Sequence, residues 1–195
     1  MLIYESSLIG TPILSLQASG PIGRVSSVII DPNGLKIIAF RIDGPHPSAN
    51  LLEVSSVREH SSLGMVIDSI DELVGRDDVV RLQQVLDLNF DLLTLKVESK
   101  KGTKLGHIID YTVTSEDYTV QQLIVRRPAL KALMDPELTI PRSEIIEVTD
   151  YKVIVRDEEK TIRSRAEHED FIPNFVNPFR KTELSPTPSN VEEES

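Results

Sequence analysis

The chain has 195 residues, a formal net charge of −10 and no cysteine. The missing cysteine excludes disulfides, thiol catalysis and Cys-ligated zinc or iron–sulfur centres. The acidic balance makes the chain as a whole a poor binder of nucleic acid or anionic membrane, which need clustered Lys and Arg.

A hydrophobic fraction of 39% suits a soluble protein with a core, and no apolar run approaches the ~20 residues of a membrane span. The opening stretch MLIYESSLIGTPILSL has neither the basic region nor the small-residue cleavage site of a signal peptide. A cytoplasmic protein without membrane insertion is therefore expected.

The first unit, residues 1–68, reads as five or six short strands. ILSLQ (13–17) is followed by GRVSSVIID (23–31), whose apolar residues Val25 and Val28 are three apart. An ideal strand alternates with period 2 and cannot turn both to one face, so a bulge or sharp bend is predicted between them. DPNG (31–34) has the composition of a tight turn. The next strand, LKIIAFRI (35–42), carries the same three-residue slip between Ile37 and Phe40. Ser55-Ser56-Val57 predicts a short turn before the last strand.

Residues 69–90, SIDELVGRDDVVRLQQVLDLNF, read as a linker with an amphipathic helix. Val79, Leu82, Val85 and Leu86 recur at helical spacing. Asp77 and Asp78 stand where a helix dipole favours acids. The stripe is expected to pack on one or both units, a partner-binding helix being the other reading.

The second unit, residues 91–157, repeats the first. With Gly23 set on Gly106, an offset of 83, Val25 meets Ile108, Val28 meets Tyr111, Leu35 meets Tyr118, Ile37 meets Val120 and Phe40 meets Leu123. Both parity slips recur at the same places. Upstream, ILSLQ is matched with TLKVE (94–98) if the second copy has two extra loop residues. Downstream, residues 52–68 match 140–156 at an offset of 88. Glycines 23 and 106 fall where the backbone bends or is closely approached. The loop RRPALKALMDPELT (126–139) predicts a short helix between Pro128 and Pro136. From residue 158 the chain becomes a charged segment and then a mostly disordered tail. Phe171, Phe175 and Phe179 lie in it and should dock, either on the chain's own barrels or on another protein.

The pattern IGRVSSVIID-PNG-LKIIAFRI, followed by SSV or SEI before a final strand, resembles the PRC-barrel family, over roughly 8–68 and 89–157. The resemblance implies a mainly β chain of two tandem small PRC-type β-barrels, and a docking module with no known chemistry. The same barrel occurs in the photosynthetic reaction-centre H subunit and in the C-terminal domain of a ribosome-maturation factor. This chain is expected to depart from both, because no stretch of these residues reads as the H subunit's membrane anchor and the unit appears twice.

No catalytic, cofactor-binding or metal-ligating motif stands out. The four His, at 46, 60, 107 and 168, are scattered, and P-loop, dinucleotide and nucleophile-elbow signatures are missing. His107 falls opposite Arg24 of the first unit, which predicts a solvent-facing or rim position. The best candidate for a basic patch is Lys100, Lys101 and Lys104, joined by Arg126 and Arg127, the other reading being solvated loop charges. The expectation is a non-enzymatic adaptor with a protein partner, and a homodimer is compatible with it. Two other readings stay open: an RNA-metabolism or ribosome-assembly factor docking on ribosomal protein, and an accessory subunit recruited to a membrane complex.

Overall fold

A computed structural model describes residues 1–18, 20–45, 48–128 and 136–157. The elements of the first half are β1 (Leu2–Tyr4), α1 (Glu5–Leu8), β2 (Pro12–Ser15), β3 (Pro21–Asp31), β4 (Lys36–Asp43), β5 (Leu51–Glu53), β6 (Glu59–Ser61), β7 (Gly64–Ile67), β8 (Leu73–Val74) and α2 (Val80–Asp87). The second half adds β9 (Lys96–Ser99), β10 (Lys104–Thr114), β11 (Val120–Arg126), β12 (Glu137–Pro141), β13 (Ile145–Val148) and β14 (Lys152–Val155). The protein is thus mainly β, in two mixed seven-stranded sheets.

The duplication is written into the strand order. One sheet runs β6-β7-β2-β3-β4-β5-β8, and the other runs β13-β14-β9-β10-β11-β12 with β1 added beside β10. Six positions correspond one to one, including the parallel pairs β2–β7 and β9–β14. The sheets differ in the seventh strand. Neither closes on itself among the described residues, so the expected pair of barrels appears as two open, bulged sheets.

Both predicted slips are β-bulges. In β3–β4 the register shifts between Val25 and Ser27 and again between Ile29 and Ile30. In β10–β11 it shifts between Ile108 and Asp110 and between Thr112 and Val113. These are the same two places at the offset of 83. Each bulge resets the alternation, and so Ile108 and Tyr111, three residues apart, are both buried.

Gly106 lies at φ 147°, and a Cβ there would run into the Arg126 carbonyl oxygen. At Gly23 a Cβ would sit 2.5 Å from Ile42 Cγ2 and 2.9 Å from the Asp43 oxygen. The backbone approach expected at both glycines is therefore present.

The upstream match needs correcting. Ile13 pairs with Gly23 and Met65, and Val97 pairs with Gly106 and Val153, so Ile13 corresponds to Val97. The match of ILSLQ with TLKVE is three residues out of step, because the second loop is one residue shorter and not two longer. An odd slip turns every side chain to the opposite face.

The boundaries also change. Only 80–87 of the stretch 69–90 is α-helix. Leu73-Val74 adds a strand to the first sheet by pairing with β5, with Leu73 buried. β1, assigned by sequence to the first unit, pairs with β10 of the second sheet, from Leu2↔Thr114 to Tyr4↔Thr112. The helix predicted between Pro128 and Pro136, the charged segment from 158 and Phe171, Phe175 and Phe179 lie outside the described residues.

Residues 1–157 form one compact unit because the repeats interlock. The tips of the two long hairpins meet in an antiparallel bridge between Lys36 and Thr119. Ile37 N–H donates to the Tyr118 carbonyl at 3.1 Å, and Val120 N–H donates to the Leu35 carbonyl at 2.9 Å. The two bonds exchange under the offset of 83, so the bridge has local two-fold pseudosymmetry. Leu35 and Tyr118, at equivalent positions, both adopt positive φ, 45° and 56°, and both are buried. Tyr118 packs edge-on against Phe40 of the first repeat, with ring centroids 5.3 Å apart. Its hydroxyl shares a 3.1 Å hydrogen bond with His60 Nδ1. Burial pushes the Tyr118 phenol up to about 12 and the His60 imidazole down.

The segments preceding each repeat add to this. β1 and α1, which precede the first, lie on β10 of the second. α2, which precedes the second, lies on the outer face of the first sheet. There Leu82, 2% exposed, packs with Ile29, Ala39 and Leu51. The amphipathic stripe therefore packs on one repeat. The second sheet has Thr112 and Gln122 where the first has Ile29 and Ala39, which explains the helix's choice.

Ser6 fixes the N-terminal segment by donating its backbone N–H and its hydroxyl to the Asp110 carboxylate, at 3.3 and 2.6 Å. The neighbouring Glu5 is only 8% exposed. Burial, and then the charges of Asp110 and Asp91, raise its pKa above the ordinary value. The folded chain therefore binds this proton more tightly than the unfolded chain. The stability from protonated Glu5 is complete below the ordinary carboxylate pKa and is lost as pH rises through the raised value. Glu5→Gln is expected to raise the melting temperature at pH 7 by roughly 2–6 °C. The gain should shrink towards pH 4, as circular dichroism melts at both pH values would check.

Candidate docking surface

The register of the second sheet assembles a row of cationic and titratable side chains. Lys152 on β14 is partnered with Lys96 on β9, Lys96 with His107 on β10, and His107 with Arg126 on β11. Directly paired residues share a face. The neighbours Val153, Val97, Ile108 and Val125 are buried on the other face, so this row points outward. Lys96, His107 and Arg126 are exposed.

The next row carries Lys104, paired with Glu98. Lys152 Nζ is 3.0 Å from Glu98 Oε2, and this bond holds the ammonium's pKa above its ordinary value. Glu137, partnered with Arg126, ends the row at the other side. Lys96, Lys104 and Arg126 make no ion pair among the described residues.

The cluster expected from sequence is only partly brought together. Lys104 and Arg126 fall on adjacent rows of one face. Lys100 and Lys101 sit in the β9–β10 turn, where Lys101 reaches Asp157 at 4.0 Å. Arg127 follows β11 and donates its backbone N–H to the Pro136 carbonyl. Two members of the row, Lys96 and Lys152, are new. Lys96 was hidden by the three-residue slip, which set it opposite the buried Ser15 and so on the core face. His107 is exposed, as its match with Arg24 required.

A second feature is an open cavity of about 470 Å³ where α2 meets the hairpin tips, lined in part by Lys36, Ile38, Val54, Arg81, Leu82 and Asp117. Asp117 has its carboxyl held well below the usual range by hydrogen bonds from the Thr114 and Thr119 hydroxyls, with Lys36 Nζ at 3.7 Å adding to the effect. These bonds close the turn on itself, so Asp117 is a structural acceptor for the tip and a poor proton donor. Among the described residues, no group of three or more His, Cys, Asp or Glu is arranged to hold a metal ion. No described helix is long and apolar enough to cross a membrane. No protein-family model matches the sequence, and no curated protein is significantly similar to it.

Proposed function

We propose that the chain is a tandem PRC-barrel protein, each repeat one barrel-type unit, acting as a non-enzymatic adaptor in the cytoplasm. One observation carries the reading. The repeats keep equivalent inward-facing residues and diverge on the outward faces. At three corresponding outward positions the first repeat has Pro12, Arg24 and Asp43, and the second has Lys96, His107 and Arg126. The first sheet's outer face is partly covered by α2. Packing explains the shared interior, while different contacts explain the separate surfaces. An interlocked pair then presents two unlike surfaces at a fixed angle, which suits a protein that holds partners in register.

Affinity isolation of the tagged chain from its native cells, with and without nuclease, followed by mass spectrometry, tests this. Nuclease-resistant recovery of the same protein partners is expected. Ribosomal proteins among them would make it an assembly factor, and subunits of an anchored complex would make it an accessory of that complex. Loss of all partners on nuclease treatment would overturn the protein-adaptor reading.

A further inference from the structure

We propose that the outer face of β9–β10–β11 docks an acidic polypeptide segment, with Lys96, Arg126 and Lys104 supplying the charge and His107 standing between them. The inference rests on the adaptor reading and names the chemistry of one partner. It starts from a contrast inside the molecule. The first repeat builds the same strands with Pro12, Arg24 and Asp43 where the second has Lys96, His107 and Arg126. Packing therefore does not demand cations at the positions of Lys96 and Arg126, where the first repeat has Pro12 and Asp43, and yet they occur in a chain of net charge −10.

The geometry selects the partner. Adjacent strands are about 4.8 Å apart, so the row from Lys152 to Arg126 spans roughly 15 Å. An extended chain with acids at every second residue presents a carboxylate about every 7 Å on one side, which three flexible cations can meet. The row is short and is bounded by carboxylates, Glu98 beside Lys152 and Glu137 beside Arg126. A nucleic-acid groove needs a continuous cationic track and aromatic platforms. On this face Glu98 and Glu137 interrupt such a track.

The experiment is fluorescence anisotropy of a short fluorescein-labelled peptide of alternating Glu and Ser, titrated with the full chain. Binding is expected to weaken steeply between about 50 and 300 mM salt. The double variant Lys96→Glu/Arg126→Glu should weaken it by roughly tenfold or more. Arg24→Glu, at the corresponding place on the first repeat, should leave it unchanged. Melting curves establish that the variants are folded, and the salt dependence of the wild-type chain stands as evidence whichever variants fold. No binding by the wild-type chain, equal binding by the double variant, or tighter binding of a labelled poly(U) oligonucleotide would each overturn the proposal. Affinity isolation with the same double variant separates the two readings. Partners retained by a variant that no longer binds the peptide would leave the adaptor standing and remove this face from it.

Discussion

Expressed alone, residues 91–157 are expected to show no cooperative thermal transition, and adding residues 1–90 at equal concentration should restore one. The second sheet takes its seventh strand from residues 2–4, and Leu8 and Leu35 from the first half are buried in the common core. Each buried Leu is worth about 1.5–3 kcal/mol, and the lost strand removes further apolar cover from Val113 and Tyr111. The sum is comparable with the roughly 5–15 kcal/mol that holds a whole domain together. Residues 1–90 keep α2 on their own sheet but lose Tyr118 from Phe40 and His60, so their transition should fall well below that of the full chain. Circular dichroism melts of the fragments, separate and mixed, decide it. A cooperative melt of 91–157 alone, near the temperature of the intact chain, would refute interlocking as a source of stability.

Gly106→Ala should cost about 3–5 kcal/mol, enough to unfold a marginal domain. Two penalties coincide there. The backbone sits at φ 147°, and the new methyl would overlap a carbonyl oxygen of the neighbouring strand, which cannot move without breaking the β10–β11 ladder. Gly102→Ala separates the two: its φ is 82° with nothing within 4 Å of the added carbon, so the loss should be about 1 kcal/mol. Gly23→Ala should fall between, at about 1–3 kcal/mol, since Ile42 can partly yield but the Asp43 carbonyl cannot. Denaturant titrations of the three variants give the order. A Gly106 variant no weaker than the Gly102 variant would mean that the strands separate there at little cost.

The sequence carried a good deal of this architecture, and the reason lies in what a repeat preserves. Inward positions must fill the same space twice, so Val25, Phe40, Ile108 and Leu123 align without gaps, and even the bulges are visible as broken alternation. Contacts between repeats leave no such trace. Leu35 and Tyr118 read as ordinary core residues after a turn, and nothing local says that each enters a core shared with the other half. Short loops hide register as well. Between β2 and β3 the chain can lose or gain a residue without disturbing either strand, so the position of Lys96 came only from pairing with His107 and Lys152. A surface row assembled from three strands has no signature along any one of them.

The pairing of residues 2–4 with 112–114 also orders events in time. During synthesis the first three strand residues leave the ribosome with their partner not yet made. More than a hundred residues must follow, a wait of roughly ten seconds at about ten residues per second. Ile3, which packs on the core in the finished protein, stays in solvent throughout that interval, beside Met1, Leu2 and Tyr4, which remain largely exposed even after folding. The nascent chain therefore passes through a sticky stage that the completed chain does not show. Slowing translation of the second half should lengthen that stage, and chaperone dependence should rise with it.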